Sequence, residues 1–213
     1  MEEKSYPCDH VVPIEQEPRH HLVIANEFVR GFAVEIAPHE RTLCHHHAQP
    51  YLMYVAGDAE IVSVPRDGTP TTHSYRDAAC ELSPAGLVHV VENLTDAKFR
   101  NLLVELLPGL GDGRRGADPK IVAGEATIFQ RFADGRISVF LLEMQSGSQV
   151  EIYGSAIVAS PYENEVELAA SGTTARMLRR FTDLAWLGPS TAATLHNRAD
   201  PPAKVVLIDV GQR

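Results

Sequence analysis

The stretch Thr42-Leu43-Cys44-His45-His46-His47-Ala48-Gln49-Pro50-Tyr51-Leu52-Met53-Tyr54-Val55 decides how the rest of the chain is read. Tyr51 to Val55 has the composition of a strand, and successive strand side chains point to opposite faces. His45, His47, Gln49 and Tyr51 then share a face if one strand runs through them all. Imidazole is a ligand for zinc, copper, iron and nickel, and two histidines one residue apart on a strand offer two nitrogens to one ion. His46 alternates to the other face, as a surface or packing residue. Cys44 also turns away and reads as a small buried residue.

A third ligand is expected from Leu82-Ser83-Pro84-Ala85-Gly86-Leu87-Val88-His89-Val90-Val91-Glu92-Asn93. Pro84 and Gly86 make a turn, His89 opens the next apolar strand, and Asn93 starts another turn. Pro84, Gly86 and Asn93 are turn formers and not chemical groups; the glycine marks a backbone conformation other residues avoid. His-x-His followed by Pro-x-Gly-x-x-His-x-x-x-Asn resembles the two-part signature of the cupin superfamily, the RmlC-like jelly rolls. Pro84, Gly86, His89 and Asn93 match its second half position for position.

That resemblance implies a β-barrel holding a divalent metal (iron, nickel, zinc or manganese) on His45, His47 and His89. Cupins usually place a glutamate three or four residues after the second histidine, where this chain has Tyr51 and Leu52. The resemblance therefore supports a three-histidine face, with Gln49 or Tyr51 as a weak oxygen ligand or as a hydrogen-bond partner behind the ligands. Tyr51 would donate a hydrogen bond to the bound substrate, as the candidate catalytic residue. Three-histidine iron sites occur in cupin dioxygenases, so the missing acid leaves an oxygenase open.

Composition bounds the rest. The 213 residues, 44% hydrophobic, can bury a substantial core in one large or two small domains. A formal charge of −9 disfavours nucleic acid and anionic lipid as partners. Apolar runs are too short to cross a bilayer, and the acidic, proline-containing start lacks the regions of a signal peptide; the expected location is the cytoplasm. Cys8, Cys44 and Cys80 are odd in number and without paired spacing, so reduced thiols are expected.

Residues 1–19, broken by Pro7, Pro13 and Pro18, are expected to be an arm, and His20 and His21 to be solvated. From Leu22 come short strands at Leu22–Ile24, Val29–Ile36, Ala59–Val64 and Phe99–Leu107, separated by turns, which predicts an all-β cupin domain over 20–108. Arg30, Arg100 and Glu105 lie on these strands and are candidates to reach the cavity. The glycine-rich stretch 109–124 reads as a linker.

The same order of elements then returns over 125–213. Arg136–Met144 echoes Arg30–Ile36, Val166–Leu168 echoes the strand after Gly57, and Asn197–Asp209 echoes Asn93–Glu105. The fold class is thus all-β, two tandem cupin jelly-roll barrels, a bicupin. In the expected register Tyr153 and Ser155 replace His45 and His47, Ala193 replaces His89, and His196 stands opposite Glu92, so the second domain is degenerate. A one-residue slip would reverse which side chains point inward.

The expected function is a metal-binding cupin protein, in its most concrete form a non-haem iron dioxygenase acting on a small organic substrate. The alternatives are a non-enzymatic small-molecule-binding cupin and a metal-independent isomerase or epimerase using a histidine and a tyrosine. The expected partner is a small molecule, and the chain is a monomer or homodimer. There is no Gly-x-Ser-x-Gly elbow and no phosphate-cradling loop.

Overall fold

Short apolar stretches bounded by turns build twenty strands, and the described residues contain no α-helix. The structure is a computed structural model that describes residues 6, 8–110, 120–123, 126–189 and 191–211. The chain divides into two compact units, the first reaching Leu107 and the second running from Pro108, with Asn26–Phe28 grouped in the second. Among the described residues no helix is long and apolar enough to cross a membrane.

In the first unit the strands are β1 Val12–Pro13, β2 His20–Ala25, β3 Val29–Ile36, β4 His45–His47, β5 Tyr51–Val55, β6 Ala59–Pro65, β7 Thr71–Tyr75, β8 Cys80–Ser83, β9 Leu87–Asn93 and β10 Phe99–Leu106. They form two five-stranded sheets, β1-β4-β9-β6-β7 and β2-β3-β10-β5-β8. Alternate residues of both sheets turn inward, and Phe32, Val34, Ile36, Ile61, Phe99 and Leu103 form the apolar core between them.

The second unit has β11 Lys120–Ala123, β12 Ala126–Ala133, β13 Ile137–Met144, β14 Gln149–Tyr153, β15 Ala156–Ala159, β16 Val166–Ala170, β17 Arg176–Leu178, β18 Leu184–Leu187, β19 Ala192–Asn197 and β20 Ala203–Val210. Its sheets are β11-β14-β19-β16-β17 and β12-β13-β20-β15-β18, the order of the first unit with ten added to every strand. Each unit is a two-sheet jelly roll.

The expected turn asparagines do the same work in both. Asn93 Nδ2 donates to the carbonyls of Ile36, Ala37 and Ala97 at 2.7–3.1 Å. Asn197 Nδ2 donates to Met144, Gln145 and Pro201, each at 3.1 Å. Each side chain satisfies carbonyls that the end of a strand leaves open. Gly86 has φ 94°, the left-handed region that favours glycine, and its N–H donates to the His47 carbonyl at 2.8 Å. The turn is thereby tied to the histidine strand.

Several expectations need correction. His45 pairs with His89, and its counterpart in the second unit is the Ile152↔Ala193 pair. Tyr153 pairs with Ala192 and so matches His46, not His45, while Gly154 follows where His47 stands. The expected register of Tyr153 and Ser155 was slipped by one residue, while Ala193 holds its place. His196 does match Glu92, each pairing with the equivalent strand residue, Glu167 and Val62.

The described part of residues 1–19 is built into the first unit: β1 pairs in parallel with β4, and Ile14 is a core residue. Residues 1–5 and 7 lie outside the described residues. Within the expected linker 109–124, Lys120–Ala123 is a strand pairing with β14, whereas 111–119 and 124 lie outside the described residues. Nor does one strand run through His47 and Tyr51. β4 and β5 belong to opposite sheets, and the chain crosses between them at Ala48–Pro50.

Candidate metal centre

Directly opposed strand residues project from the same face, so the His45↔His89 pair and His47, two residues on, point together into the first unit. All three are buried. Their rings are 4.7–5.1 Å apart, centroid to centroid. His47 Nε2 and His89 Nε2 lie 3.2 Å from each other. Two nitrogens each about 2.1 Å from one ion are about 3.0 Å apart at a right angle and about 3.4 Å apart at a tetrahedral angle. The observed separation falls between these values.

The protons are arranged for the same purpose. His45 Nδ1 donates to the Leu43 carbonyl at 2.9 Å, an acceptor only, which leaves Nε2 with its lone pair. That Nε2 is buried and has no hydrogen-bond partner, and the same holds for His47 Nδ1. Burial, reinforced by the neighbouring imidazoles, lowers the pKa of His45 to about 4 and those of His47 and His89 far below the ordinary value. Neutral imidazoles with free lone pairs are the form a metal binds. His89 Nδ1 is 2.9 Å from Ser63 Oγ, which fixes its ring.

The cluster borders a cavity of about 160 Å³ within the first unit. Val34, Ile36, Ile61, Val91, Phe99 and Leu103 supply its apolar wall, and among the described residues no lysine or arginine lines it. Glu81 is its one carboxylate among the described residues and accepts a hydrogen bond from the Tyr75 hydroxyl at 2.8 Å. Burial and that carboxylate push the Tyr75 pKa upward. His73 stacks on Tyr75 with centroids 5.8 Å apart. Asn101 Oδ1 is buried against the same cavity without a partner.

Of the sequence candidates, His45, His47, His89 and Tyr51 come together. Tyr51 stacks on His47, centroids 4.2 Å apart, and burial raises its pKa. Gln49 does not join them: it sits half-buried in the bend between β4 and β5 and does not line the cavity. Arg30, Arg100 and Glu105 do not line the cavity either, although Glu105 is fully buried. Arg30 Nη2 pairs with Glu105 Oε2 at 2.5 Å, and Arg100 with Glu35 at 3.7 Å, while Asn101 between them faces the cavity.

His20 was missed. Expected in solvent, it is buried, with its ring 4.7 Å from His45 and 6.1 Å from His47. One nitrogen each of His20, His45 and His47 lie within 4.8 Å of one another. His21, its neighbour, is exposed as expected. Alternation along β2 carried the signal, but no spacing within β2 links His20 to a second histidine across the sandwich. Thr71-Thr72-His73-Ser74-Tyr75 also alternates as a strand should, and that pattern would have found His73 and Tyr75.

The expected reduced thiols are corrected too. Cys8 and Cys44 form a disulfide, with Cα atoms 5.2 Å apart. The parallel pairing of β1 with β4 brings them together, which no sequence spacing announces. Cys80 stays outside it, its thiol donating to the Ala78 carbonyl at 3.7 Å.

No protein-family model matches the chain, and no curated protein is recognisably similar to it in sequence. Solved structures are similar in fold. AerE from Microcystis aeruginosa aligns over 91% of this chain and 98% of its own, at 11% identity and TM-score 0.64. Vicilin from Solanum lycopersicum aligns over 86% of this chain and 75% of its own, at 11% identity and TM-score 0.66. Oxalate decarboxylase from Bacillus subtilis aligns over 87% of this chain and 69% of its own, at 12% identity and TM-score 0.60.

The chain has the cupin fold. Alignments this long span both units, so the tandem repeat of cupin jelly rolls is shared with these structures. At these identities the likeness is one of fold; what the cupin does is argued from its own site.

Proposed function

We propose that the chain is a metal-binding cupin protein in which His45, His47 and His89 hold a divalent metal beside a cavity that takes a small organic molecule. The observation that carries this reading is the convergence of His47 Nε2 and His89 Nε2 at 3.2 Å, beside the partnerless buried Nε2 of His45. Such atoms cost about 1–3 kcal/mol each when left unsatisfied, which a bound ion would relieve. A metal there supplies Lewis acidity and, if it is iron, redox chemistry with dioxygen. The finer reading is therefore a non-haem iron dioxygenase.

The chain's own residues bound the substrate. The apolar wall and the cavity of about 160 Å³ suit a compact, partly hydrocarbon molecule. In this reading Tyr51, stacked on His47, donates a hydrogen bond to it and Glu81, on the cavity wall, accepts one. The Tyr75–Glu81 pair, which needs no metal, favours one second reading, an isomerase working by proton transfer.

Elemental analysis of tag-free protein tests the first reading, comparing the parent with a variant carrying alanine at positions 45, 47 and 89. Near-stoichiometric metal that disappears in the variant is expected. Oxygen uptake by the iron form then separates the dioxygenase from a binding protein, and activity that survives chelation selects the isomerase.

A further inference from the structure

Resting on the reading of this site as a metal centre, we propose that His20 is a fourth imidazole ligand and that Glu17, behind it, supplies from one residue away the negative charge that the ligand set itself lacks. His20 comes from β2, in the sheet facing the one that carries His45, His47 and His89. Its ring lies beside His45 on the cavity wall, and its ligand nitrogen falls within 4.8 Å of those of His45 and His47. An ion placed here is gripped from both sheets of the sandwich.

Glu17 decides which nitrogen of His20 is offered. Its Oε2 is 2.8 Å from His20 Nδ1, and a carboxylate only accepts, so Nδ1 carries the proton and Nε2 the lone pair. The carboxylate is itself held by the N–H groups of Arg19 at 2.8 Å and Leu43 at 3.2 Å, and by the Arg19 guanidinium at 3.1 Å. It is 1% exposed. Four donors on one buried carboxylate fix the imidazole in front of it, and a backing carboxylate makes an imidazole a stronger ligand. Glu17 is a positioning residue in this arrangement and touches no metal.

The chemistry of the set follows. Four neutral nitrogen donors with no oxygen favour zinc, copper, nickel or ferrous iron over the oxygen-seeking manganese and magnesium. The competing interpretation is a structural Glu17–His20 ion pair that merely anchors β2.

Copper(II)-loaded parent protein separates the two without any variant, because electron spin echo modulation counts the imidazoles on the ion. Four are expected. Three overturn this proposal and leave the proposed function standing, whereas no metal in the parent overturns both. On the cobalt(II) form, His20→Ala is expected to weaken binding by more than about 100-fold and to shift the visible d–d bands. Glu17→Gln should weaken it about 10- to 100-fold at unchanged stoichiometry. His21→Ala, one residue along and exposed, should leave both unchanged. Parent-like affinity and spectrum in a folded His20→Ala protein would assign the pair to structure alone.

Discussion

The two units share one strand order and fill its interior with opposite chemistry. Through the paired strands, His45, His47 and His89 of the first correspond to Ile152, Gly154 and Ala193 of the second. His20 corresponds to Ile128, Ser63 to Leu168 and Asn101 to Val205. Ile152, Leu168, Ala193 and Val205 belong to one continuous apolar core, with Ile128 packed on it. The jelly roll closes over hydrocarbon without help. Buried imidazoles with unsatisfied nitrogens are therefore no requirement of the fold, and they are concentrated in the first unit.

Transplanting the second unit's residues is the strongest way to break this contrast. The variant His45→Ile, Ser63→Leu, His89→Ala should bind no metal yet remain folded. Its metal-free first unit should gain on the order of 1–3 kcal/mol in denaturant unfolding, since buried polar groups give way to packed hydrocarbon. A destabilised variant would show that the histidines carry structure as well.

The disulfide sharpens it next. All three cysteines lie in the first unit. Reduction, or Cys44→Ala, should lower the stability of that unit by about 4 kcal/mol, the entropy expected for cross-linking a loop of this length, and leave the second transition in place. Two transitions followed in urea with and without reductant check this.

The asparagine clamps should instead behave alike. Asn93→Ala and Asn197→Ala each remove three hydrogen bonds to strand-end carbonyls, and each should cost its own unit about 2 kcal/mol. Unequal losses would mean that the repeat is closer in shape than in energetics.

The last expected effect is on pH dependence. The folded pKa of His45 is lowered from 6.5 to about 4, so between those values the unfolded chain binds more protons than the folded one. Stability of the metal-free first unit should then fall as pH drops from about 6.5 towards 4, and the loss should shrink in His45→Ala. The second unit, with His196 its sole histidine, has no buried imidazole cluster and should not share the slope. Thermal melts at intervals from pH 7 to pH 4 measure it.

Much of this was readable in the chain. Turn residues at fixed offsets, Pro84, Gly86 and Asn93, act locally, and period-two apolar stretches such as Val29–Ile36 and Phe99–Leu106 reveal strands without any partner in view. His45, His47 and His89 were found because two sit on one strand and the third follows a recognisable turn. The slip at Tyr153 had the reverse cause: β14 has no histidine or proline to pin it, and alternation alone tolerates a one-residue shift.

By itself, then, the sequence determined an all-β repeat, three clustered histidines and the absence of a carboxylate after them, because each is encoded by neighbours along the chain. Only the tertiary structure decided that Tyr51 belongs to the sheet opposite His47, that Cys8 meets Cys44, and that the Glu17–His20 pair lies beside His45. Those relations cross between strands far apart in the chain. They depend on which strands pair and which sheets face each other, and local periodicity carries no record of either.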